Sequence, residues 1–257
     1  MSIPLPSVTE NLPPLYQALT PLTAEHHGNL GLAERQDYSF AANSNSFPLA
    51  IDEFAAAQRH YPILFTTGSS PMPAALLSVE PGTNPYVGSD GTWKSAAYVP
   101  AYLRRYPFML VRAKSNNNDY ALCFDNESEK VSDGTTNTFF AIDGQPTKTT
   151  KSIMDFCVNY EKSIDSTRRT CRELAELDIL ADPAIKISRG TQTLELKGFR
   201  IVDEQRLRAL PAETIARLTA SGVMGAIYAH LFSLAALGQL EELSSALNRI
   251  DDQSKAH

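Results

Sequence analysis

The chain has 257 residues, 43% of them hydrophobic and 20% charged, which suits one sizeable core or a core with a helical lobe. Its formal net charge of -6 argues against nucleic acid as a main partner, because phosphate binding needs a surplus of Lys and Arg. Three cysteines, Cys123, Cys157 and Cys171, form an odd set without CxxC spacing, which predicts reduced, buried thiols as in a cytosolic protein.

In chain order, MSIPLPSVTENLPPLYQ has four prolines and no basic residue, so it does not read as a secretory signal. Residues 1–28 are predicted to form an extended arm over the surface. A cytoplasmic location is the expectation, with any surface association needing another export route. SNSFPLAIDEFAAAQRH predicts a short helix with Ile51, Phe54, Ala55 and Gln58 on one face. Tyr61 to Phe65 reads as a strand with Pro62 at its beginning, and Ala74 to Val79 as its partner across the loop TTGSSPMP. Pro100 suits the first turn of a short helix that Pro107 ends.

Phe108 to Ala113 and Tyr120 to Phe124 read as strands joined by the polar hairpin KSNNND, and Thr138 to Ile142 as another, ended by DGQP. From Thr149 to about Leu180 the period changes. Ile153, Cys157, Tyr160, Ile164, Thr167, Cys171 and Leu174 recur at steps of three and four, one helical stripe. Cys157 and Cys171 then lie about 21 Å apart along that helix and cannot bridge each other. Arg168, Arg169 and Arg172, followed by Glu173 and Glu176, read as a solvated face.

Ile185 to Ser188 and Thr193 to Lys197 predict a hairpin around Arg189-Gly190, continued by a strand from Phe199 to Val202. Asp203 suits the N-cap of the next helix, Pro211 begins another, and Gly222 fits its left-handed end. SGVMGAIYAHLFSLAALGQL is long enough to span a bilayer, but His230 at its middle and seven Ala or Gly residues favour a buried core helix and no membrane span. Strands in runs followed by helices in runs indicate an α+β fold, with an antiparallel or mixed β-sheet, a long amphipathic helix and a C-terminal helical lobe. A single domain over residues 29–248 and a flexible tail over 249–257 are the expected organisation.

Catalytic signatures are sparse. His26 and His27 are adjacent, with no HxH or HExxH nearby, and no metal and no cofactor is expected. His60 suits a helix end, and His230 a satisfied hydrogen bond in an apolar helix. GSS at Gly68 lacks the second glycine of a nucleophile elbow, and VGSDGTW lacks the strand and helix of a nucleotide cradle. Asp178, Asp182, Asp203 and Glu204 could supply an acid and a base, but they equally suit caps and turns.

The block WKSAAYVPAYLRRYPF, Trp93 to Phe108, concentrates the lone tryptophan, three tyrosines and a double arginine. Stiff aromatic surface beside guanidinium groups suits a planar, anionic or sugar-like ligand, which makes Trp93, Tyr98, Tyr102, Arg105 and Tyr106 the candidate binding residues. The same residues also suit core packing, with the arginines tied to acidic loops. On a helix from Pro100, Tyr102 and Tyr106 share a face while Arg104 and Arg105 diverge.

Five segments together, YPILF, YVPAYLRRYPF, RTCRELAELDIL, GFRIVDEQRLRALP and SGVMGAIYAHLFSLAAL, resemble the bacterial SapC family in order and spacing, from about Asn29 to Leu240. That family is named for a protein encoded with surface-layer components. The resemblance implies a link to the surface layer and carries no established catalytic residues. Relatives are often encoded near flavin-dependent halogenases, cupin-like proteins and TonB-dependent receptors, which suits an accessory role in scavenging or modifying a sugar or peptide. The expectation is a soluble accessory or ligand-binding protein with a peptide, carbohydrate or protein partner. The alternative is an enzyme acting on a peptide or carbohydrate and partnered with such a halogenase, its acid or base drawn from His27, His60 or the strand-end carboxylates.

Overall fold

The computed structural model describes residues 12–34, 36–112, 120–183, 185–189, 192–238 and 240. The first half holds β1 (Leu19–Pro21), α1 (Ala24–His27), β2 (Leu30–Leu32), β3 (Ser46–Pro48), α2 (Phe54–Ala57), β4 (Ile63–Thr66), β5 (Pro73–Leu76) and α3 (Ala101–Arg105). There follow β6 (Phe108–Arg112), β7 (Tyr120–Asp125), β8 (Val131–Asp133), β9 (Asn137–Thr138) and the long helix α4 (Lys148–Glu176). The chain closes with β10 (Leu180–Ala181), β11 (Ile185–Arg189), β12 (Gln192–Leu196), β13 (Phe199–Val202), α5 (Glu204–Arg208), α6 (Ala212–Ala220) and α7 (Val223–Ser233). The strand pairings among these residues are antiparallel, and the fold is α+β.

Two compact units share the chain. The first is built from the described parts of Met1–Phe40 and Leu103–Lys162, the second from those of Ala41–Tyr102 and Ser163–His257. Neither is a continuous stretch.

In the first unit the sheet order is β1-β7-β6, with a second small sheet β8-β2-β9. Phe108 sits opposite Phe124 and Leu110 opposite Leu122, so the buried side of each strand meets the buried side of its neighbour. With Phe139 and Cys157 of α4 they form one core cluster, each large side chain contributing about 2 kcal/mol of burial. Gly31, in the middle strand of the small sheet, has no room for a side chain: a Cβ there would lie 2.6 Å from the Asn137 carbonyl. Residues 12–28, read from sequence as part of an arm, are drawn into this unit. Asp125, fully buried at the end of β7, accepts the backbone N–H groups of Gln17 (3.0 Å) and Ala18 (2.9 Å), and β1 pairs along β7.

The second unit has the sheet order β10-β13-β4-β5-β3, with α7 against it and α2 packed on α7. Thr66 and Phe65 of β4 pair with Phe199 and Arg200 of β13, a register that two residues further on would oppose Ile63 and Val202. There the side chain of His230 takes over the ladder. Its Nε2 accepts the Val202 N–H at 3.0 Å, and its Nδ1–H donates to the Ile63 carbonyl at 2.7 Å. Ser233, one turn on, accepts the Ile63 N–H at 2.9 Å and donates to the His230 carbonyl at 2.5 Å. The helix is thus stitched into the sheet by two side chains.

The α4 stripe is as its spacing predicts: Cys157, Tyr160, Ile164, Thr167, Cys171 and Leu174 are buried and Ile153 half-buried. Asp203 caps α5 by accepting from Gln205 N and Arg206 N, and Gly222 follows α6 at φ 80°. Elsewhere the elements differ from expectation. The helix after Ser46 shrinks to a 3-10 turn at Ile51–Glu53 followed by α2, because Ser46–Pro48 pairs with β5 instead. The strand predicted from Thr138 ends at once, leaving a bridge from Phe140 to Pro146. The KSNNND connection and Gly190 lie outside the described residues. No single helix among the described residues is long and apolar enough to cross a membrane; α6 and the segment from Val223 to Ala236 reach that composition only together, across a 91° bend.

Candidate functional site

The chain passes from the second unit to the first within α3, between Tyr102 and Leu103, so the aromatic block is divided. Trp93, Tyr98 and Tyr102 belong to the second unit. Trp93 stacks on Tyr86 at 5.9 Å, and Tyr86 meets Tyr61 edge-on at 4.8 Å. The Tyr61 hydroxyl donates to the Tyr98 carbonyl, which links Trp93 and Tyr98 through a chain of rings. Tyr98 in turn donates its hydroxyl to buried Glu53 at 2.9 Å, whose carboxylate also accepts Ala50 N (2.8 Å) and Ala101 N (2.7 Å). Tyr102 is buried and stacks on Phe47.

Arg105 and Tyr106 belong to the first unit. Arg105 is 5% exposed, its guanidinium 4.4 Å from the Tyr160 ring centre, and it pairs with Glu161 at 3.1 Å. Arg104 is exposed over Phe156, so the two arginines part as helical spacing requires. Tyr16 lies under Arg105 and meets Tyr106 edge-on at 5.3 Å, joining these two candidates through one ring. The Tyr106 hydroxyl donates to Asp125 at 3.2 Å, and burial pushes it up to about 12.

Tyr106 also lines a cleft of about 380 Å³ within this unit, together with Asp37, Phe40, Glu127, Glu129 and Lys130. The cleft is lined from two loops, each with local hydrogen bonds of its own. In the turn after β7, Ser128 N bonds back to Asp125 O, while Lys130 offers its own carbonyl to Ala33 N at 2.9 Å. In the segment after β2, Asp37 accepts Ser39 N at 2.7 Å, an Asx turn that presents Tyr38 and Phe40. Phe40 stacks on Tyr106 at 4.3 Å.

The Lys130 ammonium lies 5.3 Å from the Tyr38 ring centre and 5.2 Å from that of Phe40. Its hydrogen bond among the described residues goes to the Asp37 carbonyl at 3.3 Å. Loss of hydration holds the Lys130 amine below the usual lysine range, opposed by the Asp37 carboxylate. Cation–π attraction offsets part of the desolvation. The result is a positive charge held in place on an aromatic wall, with Glu127 and Glu129 exposed beside it.

The remaining sequence candidates have structural partners. Both ring nitrogens of His230 are used in the sheet, and burial lowers its pKa to about 4. His27 Nδ1 accepts Thr23 N, and burial holds His27 and His60 below the usual histidine range. Cys123, Cys157 and Cys171 are free and buried, and burial pushes the thiols up to about 11, 11 and 12. Asp178 and Asp182 pair with Arg206 and Arg200, Asp203 caps α5, and Glu204 pairs with Arg208. Among the described residues no group of three or more His, Cys, Asp or Glu is placed to hold a metal ion.

Of the residues lining this cleft, sequence reasoning singled out Tyr106 and not Asp37, Phe40, Glu127, Glu129 or Lys130. Their local signals are weak: an aromatic pair two residues apart after an Asx-forming aspartate, and a charged turn, DNESEK. No curated protein and no solved structure matches the chain. The SapC family profile matches residues 22–240, most of the chain, and takes in both loops of the cleft. The chain belongs to the SapC family.

Proposed function

We propose that this SapC family member is an accessory protein that binds a small ligand in the Lys130 cleft, in the service of surface-layer biogenesis or nutrient scavenging. The observation that carries the reading is the Lys130 ammonium held over the Tyr38 and Phe40 rings in a cleft with a stacked Phe40–Tyr106 wall. A concave site with an apolar wall and a few fixed polar groups is what small-molecule binding needs. Of the aromatic block, Tyr106 touches the ligand directly. Arg105 acts through Tyr16, while Trp93, Tyr98 and Tyr102 stiffen the second unit. Binding rather than turnover is supported by His230, whose two ring nitrogens are bonded in the sheet, and by the three buried, desolvated thiols.

The test is a thermal-shift screen of amino acids, short peptides and sugars against wild type, Lys130→Met and Phe40→Ala. Stabilisation by at least one compound in wild type, lost in both variants, is expected. Compounds that stabilise all three proteins equally would place the site elsewhere and overturn the reading.

A further inference from the structure

We infer that the cleft selects a zwitterion, an α-amino acid or the end of a short peptide with an apolar side chain. This rests on the cleft being the binding site. Among the described residues its charges are mixed: Lys130, which is basic, and the acidic Asp37, Glu127 and Glu129 line the same space of about 380 Å³. A ligand carrying only a negative charge would gain Lys130 but meet three like charges. One carrying only a positive charge would meet an ammonium that has already given up much of its water. A molecule with both charges, separated by a carbon or two, satisfies both sides.

Geometry assigns the two ends. Lysine has three donors, and the hydrogen bond Lys130 makes among the described residues is a long one, 3.3 Å to the Asp37 carbonyl. The ring faces of Tyr38 and Phe40 take up the rest of its field. An incoming carboxylate is a stronger partner than either ring, and the charge-assisted hydrogen bond forms where little water competes. The exposed carboxylates of Glu127 and Glu129, on the turn that also carries Lys130, receive the ligand's ammonium. The apolar side chain of the ligand lies along Phe40, whose ring is already fixed by stacking on Tyr106 at 4.3 Å. The volume is at the small end of ligand sites, which fits an amino acid or dipeptide.

Three probes with one ring and one chain length separate these terms in calorimetry: L-phenylalanine, 3-phenylpropanoate and phenethylamine. L-phenylalanine is expected to bind about tenfold or more tightly than either singly charged probe. Lys130→Met should weaken L-phenylalanine and 3-phenylpropanoate about tenfold and strengthen phenethylamine, which no longer meets a like charge, while Lys130→Arg keeps most of the affinity. Glu127→Gln with Glu129→Gln should weaken L-phenylalanine and phenethylamine and strengthen 3-phenylpropanoate, which then meets fewer like charges. Affinities for the three probes within about threefold of one another, or no heat with L-phenylalanine, overturn the inference. A neutral sugar that binds wild type and not Phe40→Ala would sink the zwitterion while leaving the cleft as the site. If no screened compound responds to either Lys130→Met or Phe40→Ala, both readings fall. Circular dichroism of each variant identifies a loss caused by unfolding, and Lys130→Arg then carries the charge test alone.

Discussion

His230 makes the stability of the second unit depend on pH in a way that can be worked out in advance. The imidazole must be neutral to bridge β4 and β13, since Nε2 accepts the Val202 N–H while Nδ1–H donates to the Ile63 carbonyl. Burial holds its folded pKa at about 4, against 6.5 for the unfolded chain. As pH falls below 6.5 the unfolded chain takes up a proton that the folded one refuses, so stability is full above 6.5 and lost down to about 4. At about 1.4 kcal/mol per pH unit the loss comes to about 3 kcal/mol, a large share of what a domain of this size has. Urea unfolding of wild type and His230→Gln, followed by Trp93 fluorescence between about pH 7 and pH 4, isolates the effect. His27 and His60 titrate in the same direction in both proteins and cancel. The stability gap between the two proteins should narrow by about 3 kcal/mol over that range. Parallel pH curves would refute the reasoning, as would a His230 ring proton resonance that titrates near pH 6.5.

Glu53→Gln puts an amide where a carboxylate accepts from Ala50 N, Ala101 N and the Tyr98 hydroxyl, and should cost about 2–4 kcal/mol in urea unfolding; a loss below about 1 kcal/mol would show that these bonds are readily replaced. Gly31→Ala drives a methyl to within 2.6 Å of the Asn137 carbonyl and should destabilise the first unit by about 1–3 kcal/mol, visible as a lower melting temperature. With thiols pushed up to about 11 or 12, the three cysteines should resist iodoacetamide at neutral pH and react only once urea is added; mass spectra showing labelled native protein would contradict their burial.

Much of the fold is written in local patterns. The α4 stripe, the strands at Phe108 and Tyr120, the Asp203 cap and the Gly222 turn each depend on spacing within one segment, and each is found where that spacing puts it. The strands at Leu19, Leu30 and Val131 escape such reading because each is three residues long and owes its existence to a distant partner. The cleft escapes for the same reason. Asp37 and Phe40 are about ninety residues from Lys130, and nothing near either one announces the other. The aromatic block reads as a single patch because sequence does not show that the chain changes unit between Tyr102 and Leu103. His230 is different: an apolar helix with one histidine predicts a satisfied hydrogen bond, though not that the partner is a sheet.

Because the first unit is assembled from Met1–Phe40 and Leu103–Lys162, a ribosome has to deliver residue 162 before that unit can close, with the segment Ala41–Tyr102 already waiting outside the exit tunnel. No single cut along the chain separates one unit from the other. Splicing residue 40 to residue 103 across a short linker and ending the chain at residue 162 is the way to obtain the Lys130 cleft alone, and two co-expressed fragments split at residue 102 would each carry part of both units. The cleft is therefore a late product of synthesis, complete only when the N-terminal loop holding Phe40 meets a turn made some ninety residues afterwards.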